Sequence, residues 1–146
     1  MPDCASVTIA EAVKDSLNAG TFSATFTAER AYDLTAELQD NGLHVHVAIR
    51  EESGEVFDRA STEDVIAIDV AVRMKCDTSA VTVPDQLMYL LEELKDSFVA
   101  KRLDTDAGDA WCYGWARTPA YYQQHMRDFR QFTGLLTLQF KLARDF

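Results

Sequence analysis

Two histidines one residue apart, His44 and His46, followed by Glu51, form the arrangement in this chain best suited to holding a metal. Residues two apart on a strand point the same way. A pair of imidazoles with a carboxylate nearby is a donor set that zinc accepts. Trp111, Tyr113 and Trp115 also alternate; such a row can stack bases or sugars, or anchor a protein interface. Cys112 lies among them with only Arg117 as a near basic neighbour, a poor setting for a thiolate nucleophile. GxSxG, P-loop, GxGxxG and HExxH motifs are all absent, so the sequence shows no catalytic motif.

The spacing His44-x-His46-x4-Glu51 resembles the first motif of the cupins, but the likeness stops there. Asp58 stands where that motif has glycine, and His125 lacks the flanking glycine and proline of the second motif. Strand parity also puts both histidines on a polar face, so solvated strand histidines are expected there, with no metal and no cofactor. The run Asp104-Thr105-Asp106-Ala107-Gly108-Asp109 is acidic like the start of a calcium loop. Such a loop needs glycine sixth and a bidentate glutamate twelfth. Here Gly108 is fifth and Trp115 twelfth, so an acidic connection after a helix is expected instead.

The balance of charges narrows the partners. The 146 residues carry a formal net charge of −10 and a sequence pI near 4.6. Such a surface repels phosphate, so neither tight nucleic-acid binding nor an anionic membrane is expected. Hydrophobic content of 47% and charged content of 26% suit a globular protein, and the length suits one domain over 1–146. Three cysteines, an odd number without a CxxC, argue against a disulfide framework or zinc site. No apolar run is long enough to cross a membrane. The start, MPDCASVTIAEA, lacks the basic and apolar regions of a secretory signal. The expected location is the cytoplasm of the cell that makes the chain.

The elements that must position these residues follow from periodicity. In Asp64 to Cys76, residues Ile66, Ile68, Val70, Val72, Met74 and Cys76 share one parity, against Ala67, Asp69, Ala71, Arg73 and Lys75. This is a long central strand with one buried face and a second, at least partly wet face. Thr21 to Tyr32 and Leu43 to Arg50 alternate likewise, the second with His44, His46 and Arg50 outward. Phe129 to Ala143 alternates through Phe132, Gly134, Leu136, Leu138, Phe140 and Leu142.

Thr8-Ile9-Ala10-Glu11 matches a capping box for a helix to Asn18, and Asp33 to Asp40 suggests one or two helical turns. Leu87, Leu90, Leu91, Leu94 and Phe98 make the stripe of a helix from Pro84 to about Leu103. Glu51 to Glu63 and Asp104 to Pro119 read as exposed loops, the second with a possible strand at Ala110 to Arg117. Tyr121 to Arg127 is ambiguous. The expected fold is α+β: a mixed, mainly antiparallel sheet of four to five strands, packed by an N-terminal helix and one long amphipathic helix.

The segments Phe26-Thr27-Ala28-Glu29-Arg30-Ala31-Tyr32, Leu43-His44-Val45-His46-Val47 and Ala67-Ile68-Asp69-Val70-Ala71-Val72 follow one another in a characteristic order. The helix Leu87 to Phe98 and the closing Phe132-Thr133-Gly134-Leu135-Leu136-Thr137-Leu138 complete it. This pattern resembles the small tail-terminator and tail-completion proteins of tailed bacteriophages and prophages. The resemblance implies a virion protein at the head–tail junction, made in the host cytoplasm, with no catalytic residues and no enzyme activity. It implies a ring, typically a hexamer, that caps the tail tube, stops its growth and joins it to the neck.

Its partners would be copies of itself, tail-tube protein and neck or connector proteins, with DNA passing through an acidic channel without sticking. Glu51 to Glu63 and Asp104 to Pro119 would make the contacts. A neck, head-completion or other tail station in the same particle is the alternative. In a different class, a small metal- or ligand-binding α+β protein would use His44 and His46.

Overall fold

The computed structural model describes residues 4–145 apart from 57, 58, 60 and 78. In chain order the elements are α1 (Ala5–Ala19), β1 (Ala28–Arg30), β2 (His44–Val56), β3 (Ser61–Lys75), α2 (Thr82–Phe98), β4 (Arg102–Thr105), β5 (Gly108–Ala116), α3 (Gln123–Phe129) and β6 (Gln131–Asp145). The fold is α+β, and its mixed sheet has six strands in the order β1-β2-β3-β6-β5-β4 rather than four to five. Among the described residues only the β1–β2 pair is parallel.

The long central strand is β3, held between β2 and β6. Ile68 lies opposite Ile49 and Leu138, and Val70 opposite Val47 and Leu136. Matching parities on three strands make one continuous apolar face. Onto it α2 lays Leu87, Leu90, Leu91, Leu94 and Phe98, all buried, and α1 adds Ile9, Val13 and Leu17. Burying five large side chains of α2 contributes about 10 kcal/mol before chain entropy is counted. Helix α2 packs tightly on β6 at Gly134, where an added Cβ would run into Leu91 Cδ1 and lie 2.7 Å from the Phe132 ring. Glycine there is a packing requirement of the helix–sheet contact.

Several boundaries depart from expectation, each for a local reason. Helix α1 begins at Ala5, and the Thr8 N–H donates to Cys4 O at 3.0 Å, so Thr8 sits inside the first turn and caps nothing. Glu11 instead pairs with Lys14 at 2.6 Å and Arg30 at 3.1 Å. Helix α2 starts at Thr82; Pro84 falls in the first turn, where backbone N–H groups have no helical acceptor and its missing donor costs nothing. The helix ends at Phe98 rather than Leu103, because Arg102–Thr105 pair with β5 and Leu103 enters the core from the sheet.

Of Thr21 to Tyr32 only Ala28–Arg30 is strand. Its upstream half packs Phe22, Ala24 and Phe26 against the core, while Ser23 bonds Glu93 of α2 through its backbone N–H and hydroxyl. Alternation there reflects packing without a ladder. Residues 33–40 form no helix; Leu34 and Leu38 are buried and the segment lies as a strap on the sheet's other face.

The largest correction concerns Glu51 to Glu63. It is not a loop: β2 continues to Val56 and pairs with β3 from Glu51↔Ala67 to Val56↔Thr62. Residues 57, 58 and 60 of that stretch lie outside the described part. Asp104 to Pro119 is likewise mostly strand, the hairpin β4–β5 turning at 106–107. Gly108 has φ +122, a backbone region nearly closed to other residues. Its carbonyl accepts from the Thr105 hydroxyl at 2.7 Å.

The core assignment rests on Leu91, which is fully buried. Leu91→Ala should cost about 2–5 kcal/mol in urea unfolding, and Leu91→Asp should abolish the cooperative transition by circular dichroism. A soluble L91D protein that melts cooperatively near the wild-type temperature would refute the packing described.

Candidate functional site

The sheet's second face is polar but largely dry. Asp69, Arg73, His125, Gln131, Thr133 and Thr137 are all buried there, while Glu51, Ser53 and Glu55 on the same side of the sheet are exposed, so the face is wet only in part, as expected. Most polar atoms of the buried residues find partners, Arg73 Nε being the exception. Thr137 Oγ1 donates to Asp69 Oδ1 at 2.6 Å, and Arg50 Nη1 lies 3.4 Å from Asp69 Oδ2. Gln131 accepts from the Leu38 N–H at 2.8 Å and donates to Thr133 Oγ1 at 2.9 Å; His125 Nδ1 lies 2.8 Å from the same hydroxyl. Arg73 donates to Ala36 O, and Lys75 pairs with Glu37 at 3.0 Å. These bonds hold the 33–40 strap over the face, with the ambiguous stretch Tyr121 to Arg127, most of it in α3, beside it.

His44 and His46 belong to this face. His44 lies opposite Arg73 and His46 opposite Ala71, with Glu29 of β1 on the far side of His46. The two rings stack with centroids 5.8 Å apart. They are half-buried rather than solvated. His44 Nε2 lies 2.7 Å from Asp40 Oδ1, whereas His46 Nδ1 is buried with no hydrogen-bond partner.

Glu51 is not with them. It pairs with Ala67 where His46 pairs with Ala71, which puts it about 13 Å further along the strand. Among the described residues no three His, Cys, Asp or Glu side chains converge to hold a metal. Burial, then the positive charges of Arg73 and His44, hold the His46 imidazole below its ordinary pKa. Burial and then Arg73 do the same to His125.

The aromatic row is split by a bulge. Ala110 and Cys112 point into the core. Trp111, opposite Lys141, points to the other face, and Lys141 Nζ sits 4.6 Å from the centre of the Tyr113 ring. The register then shifts between Cys112 and Gly114, with Tyr113 as the extra residue. Trp115 is thereby turned to the helix side, where Lys95 Nζ of α2 lies 4.6 Å from its ring centre. All three stay substantially exposed, at 42%, 36% and 46%. Cys112 is buried, and burial pushes its thiol up, the opposite of what a nucleophile needs.

The outer part of β2 is the other open surface. Arg50 through Val56 are exposed, including Glu51, Glu52 and Glu55. Strand β1 pairs only with Val45–Val47 and stops short of this stretch. No family model matches the chain, and no curated protein matches it.

Sequence reasoning missed the buried network of Arg73, His125, Gln131 and Thr133. One signal was present: Arg73 and Asp69 share a parity on β3, and Thr133 and Thr137 share one on the last strand. Polar residues at two-residue spacing on two neighbouring strands are what a buried polar face needs.

His46 and His125 make stability depend on pH. Each has a lowered value in the fold and about 6.5 in the unfolded chain, so the unfolded state binds protons first as pH falls. Stability is then greatest above about pH 6.5 and declines below it, by at most about 1.4 kcal/mol per pH unit for each histidine. Urea titrations from pH 7.5 to 5 should show that slope, reduced in His46→Gln. Equal slopes in the two proteins would show that His46 does not titrate as its setting requires.

Proposed function

We propose that this chain is a structural protein of a tailed-phage virion, a terminator ring at the head-proximal end of the tail tube. The observation that supports it best is the exposed Trp111, Tyr113 and Trp115 on a single strand. Large aromatics left in water at the rim of a sheet are the usual anchors of protein–protein contacts. Because the bulge in β5 aims Trp115 to one face and Trp111 with Tyr113 to the other, one strand can meet a neighbour from two sides. In a ring, this strand supplies the contact between copies, and the outer part of β2 faces the neck or tube.

The acidic balance of the chain suits a channel through which DNA slides. A station elsewhere in the neck or tail would use the same surfaces. The metal-binding reading draws nothing from Glu51, which lies too far along β2 to join His44 and His46.

The decisive experiment is removal of the gene from the phage or prophage that carries it. Heads and tails should accumulate unjoined, with tails of irregular, overrun length in negative stain, and supplying the protein should restore joined particles. Trp111→Ala with Trp115→Ala should fail to restore them while remaining folded. Normal particles without the protein would overturn the proposal. So would a purified protein that turns over a substrate.

A further inference from the structure

Beyond β1, strand β2 runs from Ile49 to Val56 with β3 on one side and, among the described residues, no strand on the other. The stretch is about 25 Å long. An open strand edge of this length is a template for another strand, and proteins that keep one must control what joins it. Here the control is legible. Glu51, Glu52 and Glu55 all lie on the edge strand and are exposed. Its one cation, Arg50, is turned toward Asp69. A second copy pairing along the same edge would bring two such sets of carboxylates together, and like charges across a ladder repel. The same charges attract a strand of the opposite sign.

We infer that the outer edge of β2 accepts an extended, cationic segment of another protein by strand addition. Backbone N–H and C=O groups of Ile49–Val56 supply the ladder, and Glu51, Glu52 and Glu55 select lysine and arginine on the incoming strand. Val56, 72% exposed, gives the strand an apolar neighbour at the far end. The inference rests on the virion reading only for who the partner is, namely a neck or tube protein; the edge and its charge stand without it.

The test uses the full chain and two seven-residue peptides, one alternating lysine with valine and one alternating glutamate with valine. Backbone hydrogen exchange is followed by mass spectrometry across Arg50–Val56. The lysine peptide should slow exchange there at least tenfold and the glutamate peptide should not. Methylating alternate backbone nitrogens of the lysine peptide, which keeps its charge but removes donors, should abolish the protection. Glu51→Lys with Glu55→Lys should reverse the preference, a gain that misfolding cannot mimic.

Protection by neither peptide, or by both alike, would overturn the inference. So would protection that survives methylation, or an edge already protected in a self-associated form without peptide. None of these outcomes depends on whether loss of the gene leaves tails unjoined, so the two proposals can fail separately.

Discussion

Everything in this fold depends on the register of β3 between β2 and β6. From Thr62 to Arg73 each residue of β3 has a partner on both sides, so its two parities are imposed on the whole sheet. One parity, Ile66 to Val72, creates the apolar floor on which α1 and α2 rest. The other, Asp69 and Arg73, brings a carboxylate and a guanidinium into a face that the strap then closes. A slip of one residue would exchange these faces. It would put Arg73 beneath Leu91 and leave isoleucines under a strap built from polar bonds. The hydrophobic and polar layers thus protect the same register from opposite sides.

Departures from that register are few, and they sit where the molecule is open. The shift between Ile49 and Glu51 leaves Arg50 as the unmatched residue, next to Asp69. Beyond it the odd-numbered residues of β2, not the even-numbered ones, take the side of His44 and His46. The shift between Cys112 and Gly114 turns Trp115 toward α2. Without these two bulges the exposed glutamates and aromatics would continue the pattern of the paired strands. With them, both surfaces are aimed independently of the core.

How much of this was legible in the sequence varies with how each residue is buried. Helix α2 and strands β3 and β6 show clear periods because one side of each is covered by carbon. Ile68, Leu91 and Leu136 could be placed from periodicity alone. The outer half of β2 was not legible, since a strand covered on neither face selects for no alternation. Glu51-Glu52-Ser53-Gly54-Glu55 looks like a loop and is a strand because its backbone pairs with β3. Phe22, Ala24 and Phe26 misled in the opposite direction, alternating against the core without forming a ladder. For the candidate site, the shared face of His44 and His46 followed from spacing alone. Separation from Glu51 did not, because it depends on the bulge and on cross-strand pairing.

The strap is where chain-wide charge and local burial meet. Arg73 is buried, and among the described residues no carboxylate lies within ion-pair distance of it. A buried cation left in that state is costly unless its donors are engaged and the surrounding field is favourable. The Ala36 carbonyl engages one donor, and Asp33, on the strap, contributes the field that favours its charge. Burial and then the Arg73 charge disfavour the protonated form of His46 beside it, because a proton there would place a second positive charge next to the first. The strap's carboxylates have separate partners: Asp33 favours the Arg73 charge, Glu37 pairs with Lys75 and Asp40 lies 2.7 Å from His44. Asp33 thus offsets in part a charge that the register of β3 has forced inside.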